Sequence, residues 1–137
     1  MPNLRIETNV PKDKIDMKVC LAELSTALAN TTGKPEQYLV VQVIRVLGLL
    51  VCLFYGCQVI PDVAMVFGGS DEPCANAFFM CIGKMGAEEN KVHAANLFPV
   101  ISKHLGVPQD RFYILFRDAP AHEVAWKATT FKDILGK

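Results

Sequence analysis

Pro2 is the residue whose position offers the most distinctive chemistry, because it stands directly behind Met1. A second residue this small normally allows the initiator methionine to be removed, which gives Pro2 a free secondary amine at the chain terminus. An α-amino group has a pKa of about 8, and burial or a nearby cation such as Lys34 favours its neutral form. A neutral amine near physiological pH can act as a general base. The alternative is that Met1-Pro2 is only an ordinary translation start.

Length and charge restrict the classes of protein to which the chain can belong. Its 137 residues suit one domain with its own core, so we expect a single domain over residues 1–137. Acidic and basic residues balance at 14 each, which predicts no nucleic-acid partner, and no basic run suits a membrane surface. The N-terminus has no apolar signal-peptide core. We therefore expect a cytoplasmic protein that reaches the outside of cells, if it does, by non-classical secretion.

Cysteine and histidine usage argues against a disulfide framework, a zinc site and a thioredoxin-like redox pair. The five cysteines are an odd number and contain no Cys-x-x-Cys pair. The three histidines, His93, His104 and His122, show no metal-ligand spacing. We expect no metal site.

Two stretches of the chain read alike, which indicates an internal repeat. Gly33-Lys34-Pro35 is followed by the apolar run 39–41, and Gly106-Val107-Pro108 is followed by the apolar run 112–114. Each Gly-x-Pro is typical of a helix end, since glycine favours the left-handed position after the last turn and proline stops the helix.

Apolar spacing ahead of each Gly-x-Pro predicts a helix, over about 13–30 and about 88–105. An alternating strand is predicted at 4–7 and a fully apolar strand at 78–82. The chain thus predicts an α/β (α+β) fold of two β-α-β units, each with parallel strands and a right-handed crossover. Together they would form a four-stranded mixed sheet with both helices on one face. The other face should remain apolar, with Val40, Cys81 or Tyr113 as candidates, so self-association is its expected cover.

Short motifs spread over nearly the whole chain point to one family. They are Met1-Pro2, Thr8-Asn9-Val10-Pro11, Thr32-Gly33-Lys34-Pro35, Phe67-Gly68-Gly69-Ser70, Glu72-Pro73-Cys74-Ala75, Ile82-Gly83-Lys84, Pro108-Gln109-Asp110-Arg111, Tyr113 and Trp126. With them, over residues 1–44 and 59–131, the chain resembles the macrophage migration inhibitory factor and D-dopachrome tautomerase family. The resemblance implies a homotrimer whose sheets wrap a central channel, with three active sites at subunit boundaries.

The resemblance also implies a function. It indicates cofactor-free keto–enol tautomerisation of phenylpyruvate-like acids, small aromatic 2-keto acids, or of dopachrome analogues. Several family members are also secreted cytokines that act through a cell-surface receptor. Two alternatives stay open: a receptor-binding protein with incidental catalysis, and a catalytically impaired splice form.

Site residues carry over from the family where this sequence matches it. Pro2 corresponds to the catalytic base, Lys34 to the cation that binds the substrate carboxylate, and Ile82 to a residue whose backbone N–H binds substrate. Pocket walls are implied at Tyr113, Val124, Trp126 and Phe131, and a rim residue at Tyr38. Without the resemblance, Lys34 would be interpreted as a helix-end lysine, and Ile82 and the aromatic residues as core.

Three departures from the family pattern are visible. The run Cys74-Ala75-Asn76-Ala77 lacks the second thiol of the best-known member's Cys-x-x-Cys, which argues against thiol oxidoreductase activity. Leu115 replaces a pocket asparagine, so substrate preference is open. Residues 132–137 extend past the usual end and are expected over the pocket or the subunit boundary.

The largest anomaly is an apolar insertion at residues 43–58. Gln42-Val43-Ile44 recurs as Gln58-Val59-Ile60, and deleting 43–58 restores the family pattern. We hypothesise a short translated intron, since valine codons begin with GT and glutamine can be encoded by CAG. As structure, the block is short for a membrane span, which needs about 20 apolar residues. We therefore predict no membrane span. Gly48 and Gly56 weaken a buried helix, and β-branched and aromatic content favours an extra strand or hairpin.

Overall fold

The computed structural model describes residues 2–34 and 57–136 and the backbone of residues 41–42, and all structural statements below concern these residues. Tyr38, Val40 and residues 43–56, which include most of the predicted insertion, lie outside the described residues.

A mixed β-sheet forms the centre of the molecule. Its strands are β1 (Asn3–Thr8), β2 (Val41–Gln42), β3 (Cys57–Ile60), β4 (Ala75–Cys81) and β5 (Phe112–Asp118). They lie in the order β2-β3-β1-β4-β5. β1 pairs in parallel with β3, β4 pairs in parallel with β5, and β1 and β4 are antiparallel neighbours. The predicted α/β (α+β) fold and its four-stranded mixed sheet, made of β3, β1, β4 and β5, are therefore confirmed.

A fifth strand, β2, extends this sheet. Its first residue, Val41, belongs to the apolar run 39–41 that was predicted to supply the second strand of the first unit, but β2 lies next to β3 and not next to β1. Its two residues pair in parallel with β3, with Val41 opposite Cys57 and Gln42 opposite Gln58. The sequence offered no means to tell which of the two Gln-Val-Ile copies would lie next to β1. The pairing register places the second copy there, and β2 lies outside it at the edge.

One helix connects the strands of each unit. It is α1 (Met17–Thr32) after β1 in the first unit and α2 (Ala87–Leu105) after β4 in the second. Both helices are followed by the predicted glycine, with Gly33 at φ 64° and Gly106 at φ 66° in the left-handed conformation that glycine adopts without a steric cost, although α1 runs to Thr32 and not to about residue 30. The predicted start of α1 was wrong by four residues. Asp16 caps the helix by accepting a hydrogen bond from the Val19 N–H, which leaves Lys12–Lys14 as a separate 3-10 turn.

The hydrophobic core lies between the helices and one face of the sheet. Alternate residues of β1 and β4 are buried against α1 and α2, among them Leu4, Ile6 and Phe79. Cys81 is fully buried in this core, so its predicted place on the opposite face was wrong. It was interpreted as part of a uniformly apolar strand, whereas β4 alternates between the two faces.

The opposite face is mixed rather than uniformly apolar. β1 places Arg5 and Glu7 on it, because side chains alternate along a strand and Leu4 and Ile6 face the core. β5 adds Tyr113 and Leu115, whose side chains are 69% and 64% exposed. β4 adds Phe78 and Met80 to the same face, because they alternate with the buried residues of that strand, so the apolar part of this face spans β4 and β5.

A charged cluster joins the outer surfaces of the two helices. Glu23 of α1 accepts hydrogen bonds from Lys103 Nζ at 2.9 Å and His104 Nε2 at 2.8 Å, both on α2. The bond from Lys103 is the main reason that the pKa of Glu23 lies below its usual value of 4.5, and His104 lowers it further. The folded state thus keeps this carboxylate ionised at a lower pH than the unfolded state does.

This cluster predicts an acid-dependent loss of stability. The contribution of Glu23 is present above its unfolded pKa and disappears as the pH falls below 4.5 through the lower folded value. At low salt, the free energy of unfolding should therefore fall less steeply below that pH in Glu23→Gln than in the wild type, as measured by urea unfolding. Glu88→Gln, which removes an exposed pair within α2, is the control and should leave the slope unchanged. Equal slopes for Glu23→Gln and the wild type would contradict the assignment.

The C-terminal part of the chain forms a small satellite structure. A hairpin of two short strands, β6 (Ala125–Trp126) and β7 (Thr129–Thr130), leads into the short helix α3 (Phe131–Leu135). Both residues of the hairpin turn, Lys127 and Ala128, have positive φ values of 50° and 60°. The predicted extension beyond residue 131 is thus mostly the rest of α3.

Candidate functional site

Three of the predicted site residues, Pro2, Lys34 and Ile82, lie at the edge of the sheet where β1 begins and β4 ends. Pro2 is buried and precedes β1 directly. Asn3 pairs with Met80, so Pro2 lies beside the end of β4. Ile82 follows the last residue of β4, and Lys34 follows the glycine that ends α1. The start of one strand, the end of its antiparallel neighbour and the end of a helix therefore meet at this edge.

Lys34 and Ile82 are in direct contact. The half-buried Lys34 Nζ donates a hydrogen bond to the Ile82 carbonyl oxygen at 2.6 Å. A primary ammonium has three N–H donors, so the same group can also bind a carboxylate. The contact fixes a cation on the chain segment whose backbone was predicted to bind substrate.

The turn that begins at Ile82 is held by the end of β5. The Gly83 N–H donates to Asp118 Oδ1 at 2.8 Å, and the Ala119 N–H donates to the Cys81 carbonyl at 2.9 Å. Sequence reasoning missed Asp118. A signal for it existed, since β4 and β5 are parallel and their carboxyl ends must meet at the same edge.

Val124 and Phe131 form an apolar wall next to Ile82. Both are buried, in a cluster against which Ile82 and Met80 pack. Trp126 stacks on Phe131, with ring centroids 6.4 Å apart and an angle of 17° between the planes. Lys127 Nζ lies 4.3 Å from the centroid of the Trp126 ring. The structure thus brings five predicted site residues, Lys34, Ile82, Val124, Trp126 and Phe131, into one chain of contacts.

Tyr113 lies apart from this group. It is opposite Asn76, near the beginning of β4, whereas Ile82 follows the end of that strand. The five steps from Asn76 to Cys81 correspond to about 17 Å of extended chain. Tyr113 instead contacts Phe67, with ring centroids 5.1 Å apart, and Arg111 lies over the Phe67 ring. Within one chain, Tyr113 is too far away to share a small-molecule pocket with Pro2.

The described cysteines are buried and free. Burial raises the pKa of the Cys20 thiol to about 11, and burial likewise raises the pKa of Cys57. Both thiols are therefore protonated and unreactive at neutral pH. Among the described residues, no group of three or more His, Cys, Asp or Glu side chains is close enough together to hold a metal ion.

A cleft of about 500 Å³ opens at the other end of the sheet. It lies between the end of β1, the segment before β4 and the end of α2, with Asn9, Pro73 and Leu105 among its lining residues. None of the predicted site residues lines it.

Comparison with known proteins decides the family. The sequence model of the family "Macrophage migration inhibitory factor (MIF)" matches residues 1–52 and 54–132. The chain belongs to the MIF family. Over 131 residues it is 34% identical to macrophage migration inhibitory factor from Xenopus laevis and to that from Mus musculus, covering 96% of this chain and 99% of each relative. The homolog from Brugia malayi is 35% identical with the same coverage.

Solved structures of MIF proteins share the fold. The protein from Trichinella spiralis superimposes with a TM-score of 0.78 at 27% identity, covering 93% of this chain and 98% of that one. The homologue from Prochlorococcus marinus gives 0.74 at 29% identity, covering 93% and 97%. Membership in the MIF family implies cytokine or tautomerase activity in general terms. No helix within residues 2–34 and 57–136 is long and apolar enough to cross a membrane.

Proposed function

We propose that this MIF-family chain is a cofactor-free keto–enol tautomerase, an isomerase of small aromatic 2-keto acids such as phenylpyruvate or of dopachrome-like substrates. The observation that supports this most is the position of Pro2. It is buried at the sheet edge where Lys34 contacts Ile82, so a candidate base and a candidate carboxylate-binding cation lie on adjacent segments.

The proposed reaction uses the nitrogen of Pro2 after Met1 has been removed. The Lys34 ammonium and the Ile82 N–H hold the substrate carboxylate. The Pro2 nitrogen takes a proton from the carbon beside the ketone, and the C–H electron pair forms the carbon–carbon double bond while the C=O π pair moves onto the oxygen. The protonated Pro2 nitrogen then returns a proton to that oxygen, directly or through water, which gives the enol and the free base. The reverse sequence converts enol to ketone. Val124, Trp126 and Phe131 exclude water, which strengthens the electrostatic interactions of the bound carboxylate.

The same proposal includes a homotrimer of single-domain chains. Tyr113 is largely exposed and far from Pro2 in its own chain, so it can reach a Pro2 site only on a neighbouring copy. A site shared between protomers would also cover Leu115 and the apolar part of the open face. No metal, cofactor or nucleic acid is part of this proposal.

A second candidate function is signalling. The relatives from Xenopus laevis and Mus musculus carry the name macrophage migration inhibitory factor, which describes an action on cells. In this second proposal, the chain is made in the cytoplasm, leaves it by non-classical secretion and binds a cell-surface receptor, with catalysis incidental.

Complementation between two inactive variants tests the shared site. Lys34→Met should lower kcat/KM for phenylpyruvate by about 10- to 100-fold, since a hydrogen bond to a charged group contributes roughly 1.5–3 kcal/mol. Tyr113→Ala should also lose activity. Refolding the two variants together should restore part of it, because mixed oligomers contain sites with both residues intact. Lys91→Met, which removes an exposed lysine that is not part of the proposed site, is the control and should behave as the wild type.

Two results would overturn this proposal. If the processed wild-type chain does not tautomerise phenylpyruvate or a dopachrome analogue, the catalytic function is wrong. If mixing the two variants restores nothing although mixed oligomers form, the site is not shared between chains.

A further inference from the structure

His93 is a buried side chain that the proposed mechanism does not use. It lies in the second turn of α2 and is only 2% exposed. Its ring packs edge-on against Phe79, with centroids 5.3 Å apart, and lies 6.2 Å from Phe116. Both of its nitrogens make hydrogen bonds, Nε2 to the Lys84 carbonyl at 2.7 Å and Nδ1 to Thr31 Oγ1 at 2.9 Å.

The Lys84 carbonyl defines one proton position on the ring. A carbonyl oxygen only accepts, so Nε2 carries a proton and donates it to Lys84. In the neutral imidazole, Nδ1 is then an acceptor, and the Thr31 hydroxyl donates to it. Thr31 Oγ1 also accepts from Asn96 Nδ2 at 3.1 Å. The neutral ring thus has both nitrogens satisfied, as a buried polar group requires.

The two partners of His93 lie next to the two members of the Lys34–Ile82 contact. Thr31 is in the last turn of α1, three residues before Lys34, and Lys84 is two residues after Ile82. One imidazole ring therefore connects the segment that carries the ammonium to the segment that carries its carbonyl acceptor.

The segment at Ile82 needs such support. Gly83 and Lys84 both have positive φ values, 69° and 64°. For lysine this backbone conformation is uncommon and strained, and it persists only where surrounding contacts enforce it. The His93 bond to the Lys84 carbonyl and the Asp118 bond to the Gly83 N–H hold the turn on either side of this strained residue pair.

We propose that His93 is a positioning residue of this site: through Thr31 and Lys84, it fixes the distance between the Lys34 ammonium and the backbone at Ile82. The inference rests on the proposed function, in which these two groups bind the substrate carboxylate. His93 itself touches neither substrate nor base. Its effect is to keep the carboxylate-binding groups in one arrangement before substrate arrives, and a misplacement of about 1 Å can cost 10²-fold in rate.

Two variants of similar length separate the hydrogen bond from the packing. His93→Met fills the space without a donor, whereas His93→Gln keeps an N–H donor near the position of Nε2. In His93→Met, amide hydrogen exchange at Ile82, Gly83 and Lys84 should accelerate by about tenfold or more. Its kcat/KM for phenylpyruvate should fall by about 10- to 100-fold, mostly through KM, because carboxylate binding is what is disturbed.

His93→Gln should recover most of both effects, and the neighbouring exposed variant Lys91→Met should show neither. Thr31→Val, which removes the hydroxyl on the other side of the ring, should resemble His93→Met and serves if that variant does not fold.

The proposal is overturned if exchange at residues 82–84 is unchanged in His93→Met and Thr31→Val. It is also overturned if the two His93 variants lose activity equally, or if exchange accelerates uniformly along α2, since each result means that His93 contributes packing alone. Exchange does not depend on turnover. A wild-type chain without tautomerase activity would thus refute the proposed function, while the exchange data would still decide whether His93 holds the turn.

Discussion

Pro2→Gly should lower phenylpyruvate turnover by about 10²-fold or more, which is the lower range for the contribution of a positioned general base. Glycine also permits removal of Met1, so the variant keeps a terminal amine in the same place. It loses the secondary amine and the fixed φ of proline, which hold the nitrogen rigidly at the start of β1. The measurement is kcat and KM of chains whose intact mass shows that Met1 is absent.

A second variant isolates the nitrogen itself. Inserting one alanine between Met1 and Pro2 leaves every side chain of the site in the sequence, but it makes the Pro2 nitrogen part of an amide, which has no basicity. This insertion should abolish turnover, by about 10²- to 10⁴-fold. If the alanine insertion keeps wild-type turnover, the Pro2 nitrogen is not the base. If Pro2→Gly alone keeps it, the ring and the fixed φ of proline are not required. Loss of turnover with full activity on cells would assign signalling to a separate surface.

Deleting residues 43–58 should increase the trimer fraction and the soluble yield and should raise Tm by about 5 °C, roughly the effect of 1 kcal/mol in a domain of this size. The deletion joins Gln42 to Val59 and so gives β1 a continuous partner strand of the family type. It also removes a stretch from Val46 to Gly56 that contains no charged residue, and an apolar stretch of this kind promotes aggregation when exposed. Size-exclusion chromatography with light scattering and calorimetry measure the three quantities.

A matched control separates the length of the insertion from its apolar character. Replacing residues 46–55 by a glycine-serine linker of equal length keeps both Gln-Val-Ile copies but removes the apolar side chains. If apolarity causes the defect, this variant should approach the deletion in soluble yield. If the defect arises because the two Gln-Val-Ile copies compete for the place next to β1, the trimer fraction of this variant should stay low. Equal trimer content and Tm in the deletion and the 137-residue chain would refute the prediction.

Local signals predicted the repeat units because each depends on neighbours in sequence. Gly33 and Gly106 end their helices whatever the rest of the chain does, since the left-handed conformation is a property of glycine itself. The 3.6-residue period located α2 to within one residue at its start, Ala87 rather than Glu88. The start of α1 failed for an equally local reason, since the cap at Asp16 was overlooked.

The parts of the candidate site that escaped prediction depend on contacts between distant residues. His93 is 62 residues from Thr31, and Asp118 is 35 from Gly83. No local sequence pattern predicts either pair, because a single buried histidine or an aspartate at the end of a strand can serve many different structural roles. The distance of Tyr113 from Pro2 likewise follows from the register of β5 on β4, which hydrophobic pattern alone does not specify.

The register between β2 and β3 explains how the sheet accommodates so large an addition. Val41 lies opposite Cys57 and Gln42 opposite Gln58, an offset of sixteen residues that equals the spacing of the two Gln-Val-Ile copies. Because the second copy repeats the first, β1 meets the same side chains at Gln58, Val59 and Ile60 as it would without the extra residues. The repeated Gln-Val-Ile segment supplies β1 with an equivalent partner strand. An ancestor that acquired this block could therefore keep the order and pairing of its other strands.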